Sequence, residues 1–459
     1  QSRTPPVDPQ SLGLTAQPPA EVSAEPERWW AGQGDATLRQ LIEQALQGNP
    51  SMQVAAGRWQ RVQAQLMAVE GRDEPTLQAS AEVDRQRYTA HGLVPPPIAG
   101  STRTLGTLQL AGNWELDLFG RQRAEIDAAI GQSRAATADL QATRLLLSTQ
   151  VARTYVQLGR LQGLRAVMAR QLAQREEMLS LIRQRVQSGL DTQVELRQGE
   201  GALPETRVQL EALDEQVTLT RHALAVLTGQ DPRALDSLQV ALDQVSLQPV
   251  GNEVPIDLLA RRADVMAARW RVEASGYEVD AARALFYPNV NVASYAGYNA
   301  IGLDRLLKPG SWQWGLMPAI HLPLFDGQQR RANLRGKVAE QDTAVATYNQ
   351  TVLQAVQDVA DQLSSTQSTL RQQQEQQRAR QSTEAAYDLA LQRYRAGLGS
   401  YLVVLNAEAG VLQQRRQTVE LQARALDVQL GLYRALGGQL QAPVPPSPLT
   451  PSTTSGDRS

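Results

Sequence analysis

The sequence predicts a mainly helical, internally duplicated chain that carries a membrane β-barrel portion. Three observations lead there. Two proline-free windows are far longer than ordinary helices, a motif returns 208 residues after its first appearance, and two pairs of segments alternate apolar with polar residues.

The proline-free windows run from Pro97 to Pro204 and from Pro323 to Pro443, and both are rich in Ala, Gln, Leu, Arg and Glu. These are good helix formers. Residues 120 or 121 to 187 read as one helix, and 328 to 395 as another. At 1.5 Å per residue each spans roughly 100 Å, against about 11 residues for an ordinary globular helix. Helices of this length with few aromatic residues need lateral support from other helices in a coiled-coil-like array.

The returning motif is "RVQSGLDTQVELRQGE" from Arg185 to Glu200 and "RYRAGLGSYLVVLNAE" from Arg393 to Glu408. Gly189 and Gly397 stop the long helices as glycines stop helices generally. Asp191 and Ser400 read as N-caps of return helices ending at Leu227 and Leu436. Each motif is therefore the tip of a long helical hairpin. The duplication reaches further. "LRQLIEQALQGNP" is echoed by "VPIDLLARRADV", "EPTLQASAEV" by "YPNVNVASYA", and "LDLFGRQRAEIDAA" by "LPLFDGQQRRANLR". The chain is two copies of one unit: helix, extended pair, very long helix, return helix.

Period two marks the extended pairs as strands. Leu77, Ala79, Ala81 and Val83 oppose Gln78, Ser80, Glu82 and Asp84, and Leu108 and Leu110 oppose Thr107 and Gln109. In the second copy, after Asn289 to Tyr298, Trp312, Trp314, Leu316, Pro318 and Ile320 oppose Gln313, Gly315, Met317 and Ala319. Alternation alone equally fits a soluble sheet with one face on a core. The long helices are committed to one another, however, and leave no apolar face to cover it. The other reading is a barrel wall, apolar outside and polar inside. Four strands cannot close a barrel and lipid tolerates no open edge, so several chains must share one. Trp312 and Trp314 then suit the membrane interface.

Composition narrows the function. A net charge of -2 gives no case for nucleic acid. The absence of cysteine excludes disulfides, zinc–thiolate sites and a thiol nucleophile. The three histidines are scattered, no cofactor motif is present, and neither G-x-x-x-x-G-K-[ST], G-x-S-x-G nor H-E-x-x-H occurs. No enzyme is expected. No apolar run reaches the 18 residues of a membrane-crossing helix. The Pro-rich start reads as a processed N-terminus.

Five segments in order, "RWWAGQGDATLRQLIEQALQGNP", "NWELDLFGRQR", "LFYPNVNV", "LPLFDGQQRRAN" and "RYRAGLGSYLVVLNAE", resemble the outer membrane factors. These are the TolC-like exit ducts of tripartite efflux pumps, and the OprM/NodT-like branch is the most similar. The resemblance covers about residues 29–438. It implies a homotrimer in which four strands per chain share a 12-stranded outer-membrane barrel, and six hairpins form a periplasmic α-barrel. It further implies passive export of drugs or other small molecules, with a periplasmic adaptor protein, a proton-driven inner-membrane transporter and outer-membrane lipid as partners. Branch members often carry a lipidated N-terminal cysteine; this sequence has none. The same duct also serves secretion and metal-efflux systems, and a structural coiled-coil envelope protein is the alternative of a different class.

Residue by residue, the resemblance places an apolar ring at Leu402, a polar ring at Asn406 where the branch has Asp, and a tyrosine latch at Tyr394. Less directly, it suggests acidic entrance positions at Asp191 and Glu195, and adaptor-contact tips at Gly189, Leu190, Gly397 and Leu398. Each has a plainer reading: helix packing for Leu402 and Tyr394, solvation for Asn406 and Glu195, an N-cap for Asp191, and tight turns for the Gly-Leu pairs. The implied organisation is an extended N-terminal segment (1–34), a first-repeat helix (35–74), a first β-hairpin (75–115) and a first long helical hairpin (116–228). A linker and equatorial region (229–253) follows, then a second-repeat helix (254–287), a second β-hairpin (288–323), a second long helical hairpin (324–437) and a disordered tail (438–459).

Overall fold

The computed structural model describes residues 28–31, 34–245, 247, 262–326 and 328–438. In chain order the elements are α1 (Ala36–Gly48), α2 (Pro50–Glu70), β1 (Thr76–Arg87), β2 (Thr102–Leu116), α3 (Arg121–Gln187) and α4 (Gln193–Leu227). The second copy supplies α5 (Ala263–Ala284), β3 (Asn289–Ile301), β4 (Trp312–His321), α6 (Gln329–Arg395) and α7 (Tyr401–Ala435). The chain folds as two compact units. Among the described residues, one is built on 57–137 and 267–349, the other on 28–31, 34–56, 138–245, 247, 262–266 and 350–438.

The first unit holds one antiparallel sheet in the order β1-β2-β3-β4. Its register decides which residues share a face. Ala79 lies opposite Leu110, Leu110 opposite Ala296, and Ala296 opposite Trp314. Ala81, Leu108, Tyr298 and Trp312 form the next row. One face is therefore apolar across all four strands, and Leu77, Val83, Leu110, Trp314, Leu316 and Ile320 stand exposed on it. The other carries Gln78, Ser80, Glu82, Gln109, Asn113, Asn291, Asn299 and Gln313. Beside the sheet, Trp59 donates to Thr137 at 3.1 Å and Gln63 to Ser133 at 2.8 Å, tying α2 to the start of α3. Among the described residues no helix is long and apolar enough to cross a membrane.

The second unit has its core at Trp29, Leu38, Ile42, Val151, Leu158, Leu224, Leu430 and Tyr433. Trp29 donates to Ser148 at 2.9 Å and stacks on Tyr433 with ring centroids 5.3 Å apart. Both long helices end as expected. Gly189 and Gly397 have φ of 73° and 75°, the left-handed conformation that glycine adopts without penalty.

Two expectations need correction. The single helix over 35–74 is two helices. Asn49 is extended, with φ -73° and ψ 126°. Proline excludes the α-region for the residue before it but suits the first turn of a new helix, so Pro50 opens α2. Second, Asp191 is not an N-cap. α4 starts at Gln193, and its cap is Thr192. Ser400 does stand at the N-cap of α7, though its side chain makes no capping bond. Of the second-repeat helix, residues 263–284 form α5, and the expectation for 254–261 lies outside the described residues. So do those for 1–27, 248–253 and 439–459.

Candidate functional site

The first tip is a glycine turn that brings two charges together. Leu190 N–H donates to the Arg185 carbonyl at 2.8 Å and Gly189 N–H to that of Val186 at 3.1 Å. This closing pattern satisfies the last carbonyls of α3. It also folds Asp191 back onto Arg185, whose guanidinium donates to both carboxylate oxygens at 2.9 and 3.3 Å. The carboxylate oxygen 2.9 Å from Arg185 also accepts from the Tyr394 hydroxyl at 2.5 Å. With Asp191 so engaged, the capping role falls to Thr192. Its side chain accepts from Val194 N–H at 3.2 Å, while Glu195 accepts from Thr192 N–H at 2.9 Å. Thr192-Gln193-Val194-Glu195 is thus a capping box. Its hydrogen bonds, the Thr192 side chain's first, hold the Glu195 carboxyl below its usual range.

The second tip repeats the backbone but not the side chains. Leu398 donates to the Arg393 carbonyl at 2.8 Å and Gly397 to that of Tyr394 at 3.0 Å. Gly399 occupies the place of Asp191. Arg393 donates to the Leu398 carbonyl at 3.5 Å. Tyr394 is fully buried with Ile182, Tyr401 and Val404, and the Arg185 guanidinium lies 4.5 Å from its ring centre. Burial first, then the hydrogen bond to Asp191, pushes its hydroxyl above the usual tyrosine range. It therefore remains the donor throughout the physiological range. The hydrogen bonds with Asp191, led by its side chain, likewise raise Arg185.

Leu402 and Asn406 stand exposed on one face of α7, one turn apart, with Leu402 at 55 %. The opposite face of α7 buries Tyr401, Val404, Glu408 and Val411. Leu190 and Leu398 project from the turns at 65 % and 70 % exposure. The structure joins Tyr394 to Asp191, while Glu195 stays in its own cap and Leu402 and Asn406 lie exposed on the first turns of α7. Sequence reading gave Arg185 no role. Its signal was the glycine turn itself, which returns the residue six places later to it.

At the sheet, Trp312 and Trp314 stand exposed, and Trp312 meets Tyr298 edge-on at 5.4 Å. Aromatic residues also mark the opposite end, where Phe119 stacks on Tyr287 at 5.3 Å and Trp114 and Phe325 are exposed. An apolar band edged by aromatic girdles is the outer surface of a transmembrane barrel. β4 has 10 residues. Such a strand is about 34 Å long and, tilted at roughly 40°, spans about 25 Å of bilayer.

The family model for "Outer membrane efflux protein" matches the chain twice, at residues 41–230 and 254–438, one match per copy of the duplication. The multidrug resistance outer membrane protein MdtQ of Escherichia coli O6:H1 is 35 % identical over 433 residues, 92 % of this chain and 90 % of its own length. The outer membrane protein VceC of Vibrio cholerae is similar in structure, with a TM-score of 0.85, 33 % identity, and coverage of 92 % of this chain and 100 % of VceC. The outer-membrane channel OprN gives 0.84 at 29 % identity, covering 93 % and 96 %.

Proposed function

This chain belongs to the outer membrane efflux protein family, and we propose that its exit duct is sealed at the periplasmic helix tips and opened by partner proteins. As an outer-membrane efflux channel with a long periplasmic helical part, it must close its barrel. The sheet leaves β1 and β4 as unpaired edges, which lipid does not tolerate. Three copies of the chain supply twelve strands, and their six helical hairpins surround one lumen. The duct conducts drugs or other small molecules passively and performs no chemistry.

The observation that carries the seal is the hydrogen bond from Tyr394 to Asp191 at 2.5 Å, which ties the second hairpin to the first. A hydrogen bond to a charged group contributes about 1.5–3 kcal/mol, enough to bias a two-state gate and small enough to be overcome by binding. Above it, three copies of Leu402 form an apolar constriction and three of Asn406 an uncharged ring. Leu190 and Leu398 give a periplasmic adaptor protein its contact. Opening requires that the adaptor bind the open arrangement better than the closed one, with energy drawn from a proton-driven inner-membrane transporter.

Single-channel conductance in planar bilayers tests this. The native protein is expected to conduct poorly, Tyr394→Phe and Leu402→Ala severalfold better, and Asn406→Asp with greater cation preference. Inserted protein in which Tyr394→Phe and Leu402→Ala both conduct as the native chain does would place the seal elsewhere.

A further inference from the structure

Glu408 is the one charged residue in the buried stripe of α7, between Val404 and Val411. It is 8 % exposed. A carboxylate in an apolar stripe costs several kcal/mol of desolvation unless it is paired, and burial pushes this one above its usual range. Its partners come from the other hairpin. On α3, Gln171, itself 2 % exposed, donates to it, and Arg175 lies 3.5 Å away. Arg175 in turn donates to the Ala202 carbonyl at 3.0 Å and the Thr206 hydroxyl at 2.8 Å, both on α4. One buried polar group thus fixes α7 to both helices of the first hairpin. The equivalent residue of the first copy, Glu200, does nothing of the kind; it pairs with Arg183 and Arg197 within its own hairpin.

Helical geometry gives this placement a consequence. At 100° per residue, Leu402 and Asn406 lie about 240° and 200° around α7 from Glu408. Whatever fixes the buried direction of Glu408 fixes the opposite direction of Leu402 and Asn406. Apolar packing at Tyr401, Val404 and Val411 tolerates rotation, whereas a hydrogen-bonded carboxylate does not. We propose that Arg175 and Gln171, through the buried Glu408 carboxylate, set the rotation of α7 and so aim Leu402 and Asn406 into the duct. The brace rests on the gate assigned to those two residues. It makes Glu408 the pivot, so that opening moves only the stretch of α7 on the tip side of it.

Breaking one half of a buried pair is costly, while replacing both halves with apolar residues is neutral or stabilising. That asymmetry separates positioning from mere support. The probe is Val404→Cys, a buried position in a chain that has no other cysteine, with a water-soluble maleimide as reagent. Arg175→Met with Glu408→Leu, which leaves only the Gln171 amide without its acceptor, is expected to lower the melting temperature by no more than a few degrees, to let Cys at 404 react about tenfold faster, and to raise resting conductance. Should that double variant fail to assemble, Glu408→Gln, which keeps the shape, is expected to give the same two changes more weakly. Near-native stability with unchanged reactivity at 404 would overturn the brace. Leu402→Ala in parallel isolates the gate. If it leaves conductance unchanged while the double variant still exposes position 404, the gate fails and the brace stands.

Discussion

The two helical tips share a main chain and differ in charge. Both turns close on a left-handed glycine with the same pair of backbone hydrogen bonds. In the first, Arg185 meets Asp191; in the second, Arg393 meets a carbonyl and Gly399 stands where the acid was. The difference teaches that duplication kept what the backbone needs and released the side chains. The acid is present in only one tip, and the Tyr394 hydroxyl of the other tip donates to it. An Asp at position 399 would stand beside Arg393 as Asp191 stands beside Arg185. An Asp in neither tip would leave Arg185 and Tyr394 without their acceptor.

The largest break in this comparison is Asp191→Ala. It strips the partner from a half-buried guanidinium and from the hydroxyl of the buried Tyr394 together, and should cost about 2–4 kcal/mol, between one unmade charged hydrogen bond and a broken buried pair. Chemical denaturation of the detergent-solubilised protein measures it. Arg393→Gln, the matching change in the second tip, should stay within about 0.5 kcal/mol. Equal losses at the two tips would show that Asp191 is only locally anchored.

Gly189→Ala and Gly397→Ala test the shared part. Nothing lies within 4 Å of a Cβ at either position, so only the backbone conformation resists. Each should cost about 1–2 kcal/mol, and the two costs should match. A clear inequality would mean that the neighbouring side chains, not the turn, set the tolerance.

A second pair of positions extends the comparison to the start of the long helices. Gly120 before α3 and Gln328 before α6 have φ of 75° and 76°. The same left-handed residue opens each helix, but in the second copy a side chain bears the strain. Gln328→Gly should therefore stabilise the chain by about 0.5–1 kcal/mol, and Gly120→Gln should destabilise it by a similar amount. A destabilising Gln328→Gly would mean that the side chain has interactions outweighing the backbone cost.

How much of this was legible follows from the range of the interactions. Helix extent, strand alternation and the glycine stops are local, and the sequence carries them openly. Tyr394 and Leu402 came from the resemblance, and the structure places Tyr394 against the first tip. The sequence does contain the signal for Thr192, a Thr followed three residues later by Glu195, but Asp191 beside it has the same capping chemistry. Asp191 was misassigned because its partners lie six residues back across a turn and 203 residues away. Asn49-Pro50 was read through because the apolar period continues past it. The left-handed Gln328 left no sequence signal: the echoed segments set Gly120 against Asp326, and only the helix starts pair it with Gln328.

The smallest contrast lies in the caps of the return helices. Thr192 and Glu195 form a capping box, whereas Ser400 is followed at the third position by Val403 and makes no side-chain capping bond. The Glu195 carboxyl is held below its ordinary value of 4.5. A group depressed on folding adds stability above its unfolded pKa and loses it as pH falls through the folded value. The melting-temperature difference between the native protein and Glu195→Gln should thus be small but full at neutral pH, and should close as the pH falls through the depressed folded-state value. Val403→Glu places the missing acid at an exposed position of the second tip and should bring a gain with the same pH dependence. If Val403→Glu gains nothing, the second tip does not admit the box geometry despite its matching backbone. The two copies would then differ in how closely the return helix approaches its turn as well as in side-chain chemistry.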